Sequence, residues 1–292
     1  MSVYILILHA YTPIHQGIGQ VPAPVDLPIA REKPSGYPII RHMKGPIRAF
    51  LENMKGNNND NDIKKWFGSS PEGGTDEDAS AGSVIFSDAY LLLFPVRSAK
   101  RGIVWLSSPY IVDRFLRHKR LLCGGRYNKT LLRDSDMKDG KIYFIDKGIQ
   151  NNYDIIEGYE VSEEILELPS DIKQMFNIIV DSVEGIDMSY IALTTNATFS
   201  FIVENFTEIV PRIRIGESGT VEEGPWWEEN IPAETVFYMW IQDRKENSDI
   251  PRLIEKISGK FIDVGGNITL GRGKVKVIEF EDCLGGDQNG QR

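Results

Sequence analysis

Between residues 13 and 38 the chain carries six prolines (Pro13, Pro22, Pro24, Pro28, Pro34 and Pro38), with Gly17 and Gly19 among them. Proline fixes φ and lacks an N–H, so neither a helix nor a central strand survives that density. The segment reads as a long surface loop, and loops of this length inside a compact unit are uncommon and usually carry function. Its flanks are regular. Val3–Leu8 is an apolar run of strand length, read as a buried first strand. From Lys44 to Met54, the residues Ile47, Phe50, Leu51 and Met54 recur at spacings of 3 and 4, with Pro46 near the start, which predicts a first helix.

Further along, strands are expected at Ser83–Phe86, Ala89–Pro95, Gly102–Leu106, Lys141–Ile145, Asp154–Tyr159, Phe261–Val264 and Val275–Phe280. Helices are expected from a Ser107 cap through Leu122, from Ser170 to Val183, and over Ile250–Ile257. Residues 56–80 are polar and acidic around a Trp66-Phe67-Gly68 island, and read as an irregular, flexible insertion. Residues 209–240, from Ile209 through a glycine-containing turn to Trp240, read as a projecting β-hairpin. A strand, a helix, strands, a helix and a strand with large inserts is the ordering of an α+β, ferredoxin-like (RRM-type) domain, here spanning 1–292. Such a sheet is a common RNA platform, but the fold alone does not establish that use.

Charge argues in two directions. The 292 residues hold 33 Lys+Arg against 42 Asp+Glu, a net charge of -9, which disfavours a polyanion partner in bulk. Polyanion binding needs a cationic patch rather than a cationic protein. The cations are bunched at Arg41, Lys44 and Arg48, at Arg97, Lys100 and Arg101, along Arg114–Arg133, and at Arg272, Lys274 and Lys276. The longest apolar runs, Tyr4–Leu8 and Tyr90–Phe94, are far short of the ~20 residues that span a bilayer. Met1 leads into Val3-Tyr4-Ile5-Leu6 with no basic leader, so a cytoplasmic protein without a membrane partner is expected. The two cysteines, Cys123 and Cys283, form no CxxC motif; that fits a reducing compartment and argues against a cysteine-built zinc site. His9, His15, His42 and His118 are too dispersed for a metal motif, and no Walker A, GxSxG or Rossmann pattern occurs.

Two places could carry chemistry. His15 and Asp26 lie on the proline-rich loop, where a carboxylate can orient an attacking hydroxyl or hold a hard divalent cation; from the residues alone, a turn-capping aspartate is the simpler reading. The second is Gly265-Gly266-Asn267-Ile268-Thr269-Leu270-Gly271-Arg272-Gly273-Lys274. Exposed N–H groups beside two cations would make a phosphate cradle, and a glycine-rich turn explains the same residues equally well.

Five segments resemble one family in order along nearly the whole chain. They are Val25-Asp26-Leu27-Pro28-Ile29-Ala30-Arg31-Glu32-Lys33; Lys44-Gly45-Pro46-Ile47-Arg48; the run from Gly82-Ser83-Val84-Ile85-Phe86-Ser87-Asp88 through Ala89-Tyr90-Leu91-Leu92-Leu93-Phe94-Pro95-Val96-Arg97-Ser98; Arg212-Ile213-Arg214-Ile215 with Gly224-Pro225-Trp226-Trp227-Glu228-Glu229-Asn230-Ile231-Pro232; and the terminal glycine loop. They resemble the RAMP backbone subunit (fourth Cmr protein) of the type III-B CRISPR-Cas effector, the Cmr complex. The resemblance implies an endoribonuclease that stacks with copies of itself and with other Cmr subunits along a guide RNA (crRNA). It further implies a thumb-like hairpin pressed into the guide–target duplex, and regular cleavage of target RNA through Asp26, with Mg²⁺ or Mn²⁺, by attack of a ribose 2′-hydroxyl. His15, Glu228 and Glu229 are weaker helper candidates. Arg41, Lys44, Arg48, Arg97, Lys100, Gly271, Arg272, Gly273 and Lys274 are the expected RNA contacts. One departure stands out: Arg41-His42-Met43 occupies the place where the family has small Gly/Ser residues before the lysine of its first helix. Two other readings remain: a scaffold in which Asp26 is inert, and an acid–base enzyme using Glu228 and Glu229. The latter ranks last, because adjacent strand residues point to opposite faces.

Overall fold

A computed structural model describes residues 2–54, 60–69, 80–125, 132–146, 154–162, 164–244 and 248–283. In chain order the elements are β1 (Val3–Ala10), β2 (Ile39–Ile40), α1 (Lys44–Asn53), α2 (Asp60–Phe67), β3 (Val84–Phe86), β4 (Ala89–Ser98), β5 (Gly102–Ser107), α3 (Pro109–Leu122), β6 (Lys141–Phe144), β7 (Ile155–Ile156), β8 (Tyr159–Val161), α4 (Ser170–Ser182), β9 (Ile191–Leu193), α5 (Asn196–Asn205), β10 (Glu208–Ile215), β11 (Val221–Asn230), β12 (Val236–Asp243), α6 (Ile250–Ile257), β13 (Phe261–Asp263) and β14 (Lys274–Asp282). The fold is mixed α+β.

β1 is buried along its whole length, which is why its sequence is a continuous apolar run rather than an alternation. It lies between β12 and β14, antiparallel to both, and β12 pairs antiparallel with β4 on its far side. The spatial order is therefore β14-β1-β12-β4, continuing through β5, β9, β6 and β8 to β7. β7 returns to β4 through the pair Ser98↔Ile156, so six of these strands close into a ring. The closing corner is fixed by the buried Asp154, which accepts hydrogen bonds from Ser98 Oγ and the Arg101 guanidinium, each at 2.7 Å. Ile47 and Leu51 of α1, Ile111 and Phe115 of α3, and Leu253, Ile254 and Ile257 of α6 all enter one core with β1, β4 and β12. Each such side chain, fully buried, is worth about 1.5–3 kcal/mol relative to exposure.

Several expectations need correcting. Within 56–80, residues 60–67 are helical: Ile63, Trp66 and Phe67 are buried at helical spacing, and Trp66 Nε1 donates to the Ser248 carbonyl at 2.9 Å. Residues 55–59 and 70–79 lie outside the described residues, as do Arg126 and Lys129 of the basic stretch. The hairpin is shorter than 209–240. β10 and β11 form their own two-stranded sheet and end at Asn230, whereas Val236–Asp243 is the buried strand β12 of the main sheet. α3 begins at Pro109 after Ser108, and Ser107 instead closes β5, its hydroxyl donating to Leu92 O at 3.0 Å. α4 follows Pro169, so Ser170 is its first helical residue rather than its cap. α5, not anticipated as a helix, is capped by Thr195, whose side chain accepts from Thr198 N. Cys123 and Cys283 are joined in a disulfide, tying the end of α3 to the end of β14. Among the described residues no helix is long and apolar enough to cross a membrane.

Candidate catalytic loop and nucleic-acid interface

The proline-rich loop is pinned to the root of the hairpin. Its two legs pair with each other through Gly17↔Ile29, with Ile18 N donating to Pro28 O at 3.2 Å and Ala30 N to Gln16 O at 2.6 Å. Ile14, Ile29 and Ala30 are buried, and the tip around Pro22–Pro24 is exposed. One edge of β11 pairs with β10, and the other is occupied by this loop. Leu27 N donates to Trp227 O and Glu229 N to Leu27 O, each at 3.0 Å, while Ile14 and Ile231 exchange both backbone hydrogen bonds at 2.9 Å.

Asp26 and His15 flank this seam. Asp26 is half-buried, and its Oδ2 accepts the Trp227 N–H at 2.7 Å. The aspartate thus takes a backbone N–H from within β11, 201 residues away, rather than capping its own turn. The His15 Nδ1 lies 2.8 Å from the Glu229 carbonyl, which can only accept, so Nδ1 carries the proton and a neutral ring keeps its lone pair on Nε2. The two attachment points, Trp227 and Glu229, are two residues apart on one strand, roughly 7 Å. Asp26 and His15 are therefore anchored to the same stretch of β11.

Glu228 and Glu229 point to opposite faces of β11 and are both engaged. Glu228 is ion-paired with Arg272 and, at 3.4 Å, with Arg212, and accepts from Asn267 Nδ2 at 2.8 Å. Glu229 accepts from Arg31 Nη2 at 2.6 Å, Thr207 Oγ1 at 2.8 Å and Ile29 N at 3.0 Å. Neither carboxylate stands free in the way a helper acid would.

The expected RNA contacts separate into three places. Arg41 lines a pocket with His15, Gln16, Gly17, His42 and Gly266, and Lys44, exposed, opens α1 beside it. His42 holds φ 60°, a left-handed conformation, and its N–H donates to Asp88 Oδ1 at 3.0 Å. That backbone geometry explains why a small or glycine residue suits this position, and His42 meets it at a cost. Arg48 is paired with Glu52 at 2.9 Å. Arg97 and Lys100 are exposed at the far end of β4, roughly 25 Å along the strand from Ala89.

The glycine loop is not an open cradle. Gly266 N donates to His15 O, Gly273 N to Pro13 O, Lys274 N to Thr12 Oγ1, and Leu270, Gly271 and Arg272 N to carbonyls inside the loop. Arg272 grips Glu228 and Asn230, and Lys274 lies 2.5 Å from Asp263. The glycines are needed for close approach: a Cβ on Gly273 would sit 2.1 Å from Val264 O at a φ of 79°, and one on Gly265 would sit 2.5 Å from His15 O. Arg114, counted with the cations, is internal and holds both carboxylate oxygens of Glu32, at 2.7 and 2.8 Å.

Sequence reasoning missed Arg31, Thr207, Asn267 and His42. For Arg31 the signal was present, as a charged residue within the most distinctive loop segment. Among the described residues no group of three or more His, Cys, Asp or Glu converges to hold a metal ion.

The chain, with a hairpin standing off a mixed sheet and a pinned proline-rich loop on that hairpin, matches the family model of the RAMP superfamily over residues 7–276. The chain belongs to that superfamily. Within it, the chain is 34% identical over 289 residues to the protein named CRISPR system Cmr endoribonuclease Cmr4 of Pyrococcus furiosus, covering 95% of each chain. The crystal structure of oligomeric Cmr4 from Pyrococcus furiosus superposes with a TM-score of 0.67 at 28% identity, covering 97% of this chain and 99% of that one. A chain in the cryo-EM structure of type III-B Cmr-beta bound to cognate target RNA shares the fold, with a TM-score of 0.72 at 21% identity over 95% of this chain and 97% of that one.

Proposed function

We propose that this chain is the guide-RNA-binding backbone subunit of a type III-B CRISPR effector, acting in the cytoplasm as an endoribonuclease on guide-paired target RNA. Copies of the chain would stack along the guide beside other Cmr subunits, each presenting one cleavage site. The observation that carries the reading is Asp26, held half-buried on the strand of a projecting hairpin that also anchors His15, in a chain alike over 95% of its length to a Cmr endoribonuclease. The order β14-β1-β12-β4, with α1 between β1 and β4 and α6 between β12 and β14 in the chain, supports reading the palm as ferredoxin-like.

In this reading the hairpin, our thumb, breaks the stack so that one target nucleotide can reach in-line geometry, where orientation alone lowers the barrier substantially. The Asp26 carboxylate orients the attacking 2′-hydroxyl by accepting its hydrogen bond, and His15 Nε2 would exchange a proton with the reacting oxygens. Mg²⁺ or Mn²⁺ would supply charge neutralisation at the scissile phosphate. Among the described residues Asp26 would be the protein ligand, so RNA oxygens and water would complete the shell, as is usual for Mg²⁺. Arg41 and Lys44 are the best-placed phosphate contacts; Arg97 and Lys100 would meet a different stretch of RNA.

In the assembled complex, Asp26→Asn is expected to abolish target cutting while assembly and guide binding persist. Cutting by that variant at the native rate would overturn the catalytic assignment. One observation favours a scaffold reading: Asp26 Oδ2 already serves the Trp227 N–H. The same experiment separates the two.

A further inference from the structure

Glu229 occupies an unusual position for a carboxylate beside a cleavage site. It is 6% exposed, and three donors, two from one loop and one from the start of the hairpin, converge on it. Ile29 N comes from the loop that carries Asp26, three residues downstream of it; the Arg31 guanidinium comes from the same loop; and the Thr207 hydroxyl stands at the entry to β10. The Glu229 backbone adds to this, its N–H donating to Leu27 O and its carbonyl meeting His15 Nδ1. Arg31 is itself tied down, donating to Gly36 O at 2.9 Å and to Val203 O of α5 at 3.4 Å. One residue thus holds the Asp26 loop, the His15 ring and both strands of the hairpin in a single relation. With Oε1 taken by Arg31 and Thr207 and Oε2 by Ile29, the carboxylate is directed inward to fixed donors rather than outward to a reacting group.

We propose that Glu229 is a positioning residue of the cleavage site: its buried carboxylate sets the distance between the Asp26 carboxylate, the His15 ring and the hairpin, and takes no part in proton transfer or metal binding. The inference rests on the catalytic reading of Asp26. It also separates the two neighbouring glutamates, because Glu228 faces the glycine loop through Arg272 and Asn267, on the opposite side of the strand from the Glu229 carboxylate.

The test uses the complete effector loaded with guide RNA and compares Glu229→Gln, Glu229→Ala and Asp26→Asn. Glutamine keeps an acceptor for the Ile29 N–H and loses the charge-assisted part of the Arg31 contact, so cutting is expected to fall by about tenfold or less. Alanine frees the loop, and a displacement on the order of 1 Å costs about a hundredfold in rate, so Glu229→Ala is expected to cut at least that much more slowly. The pH–rate profile of Glu229→Gln should keep the native shape, because no titrating reactant has been removed. Glu229→Gln falling to the Asp26→Asn level with assembly intact, or a missing limb in its pH profile, would overturn the proposal and make Glu229 a reacting group. Native-rate cutting by Glu229→Ala would overturn it as well. If Glu229→Ala does not assemble, the Glu229→Gln rate and pH profile decide. Asp26→Asn serves as the independent control: if that complex cuts, the assignment of Asp26 fails, whatever Glu229 does.

Discussion

Two cationic regions that look alike in the sequence differ in what their charges are doing. At the start of α1, Arg41 and Lys44 are exposed at the rim of the pocket that His15 and His42 line. In the glycine loop, the Arg272 side chain is 17% exposed and closes on the buried Glu228, whose side chain is 3% exposed. A guanidinium enclosed against a carboxylate is a structural part, and little of its field reaches a phosphate outside. An ammonium at an open rim can neutralise a phosphate and release its counterion. Counting cations along a chain therefore overstates the charge available to a polyanion, and pairing decides the remainder.

The contrast is tested most severely at Arg272. Arg272→Ala leaves Glu228 buried without its main partner, and removing one member of such a pair costs about 3–5 kcal/mol. Denaturant unfolding should show this drop, while the slope of guide-RNA affinity against salt stays as in the native protein. A reduced salt slope with unchanged stability would reverse the roles assigned to the two regions. The paired substitution Arg41→Ala with Lys44→Ala should do the opposite. Stability is expected to move by about 0.5 kcal/mol or less, while the salt slope falls by about 0.7 for each single-strand phosphate that is no longer neutralised. A small effect, on stability alone, is expected at Lys274. Its pair with Asp263 is exposed on both sides, so Lys274→Ala should cost about 1 kcal/mol at most, read as a small shift in the denaturation midpoint.

Much of the scaffold is legible in local pattern. β1 announces itself as an unbroken apolar run, and α6 matches Ile250–Ile257 at both ends, because Ile250, Leu253, Ile254 and Ile257 trace one buried stripe. α5 is harder to see: Thr198, Phe199, Phe201, Ile202 and Val203 are β-branched or aromatic, residues that favour strands, and tertiary packing overrides that preference. The hairpin's far end is hidden because Trp240 resembles Trp226 and Trp227 in type, and only pairing shows that it belongs to β12. For the site, Asp26 and His15 are visible as unusual residues in a proline-bounded loop. Their mutual placement is not, since it depends on a strand about 200 residues away. The same holds for Arg114 with Glu32 and Arg272 with Glu228, where sequence separations of 82 and 44 hide the pairing.

The side-by-side placement of Glu228 and Glu229 makes the hairpin intolerant of slippage. Successive strand residues face opposite sides, so moving β11 by a single position against β10 would turn every side chain over. Glu229 would then part from Arg31 and Ile29, and Glu228 from Arg272, so two buried acids would be orphaned at once. Adding or deleting one residue in the tip between Ile215 and Val221 therefore acts at a distance. The tip sets the length, and the paired glutamates at the root verify the frame.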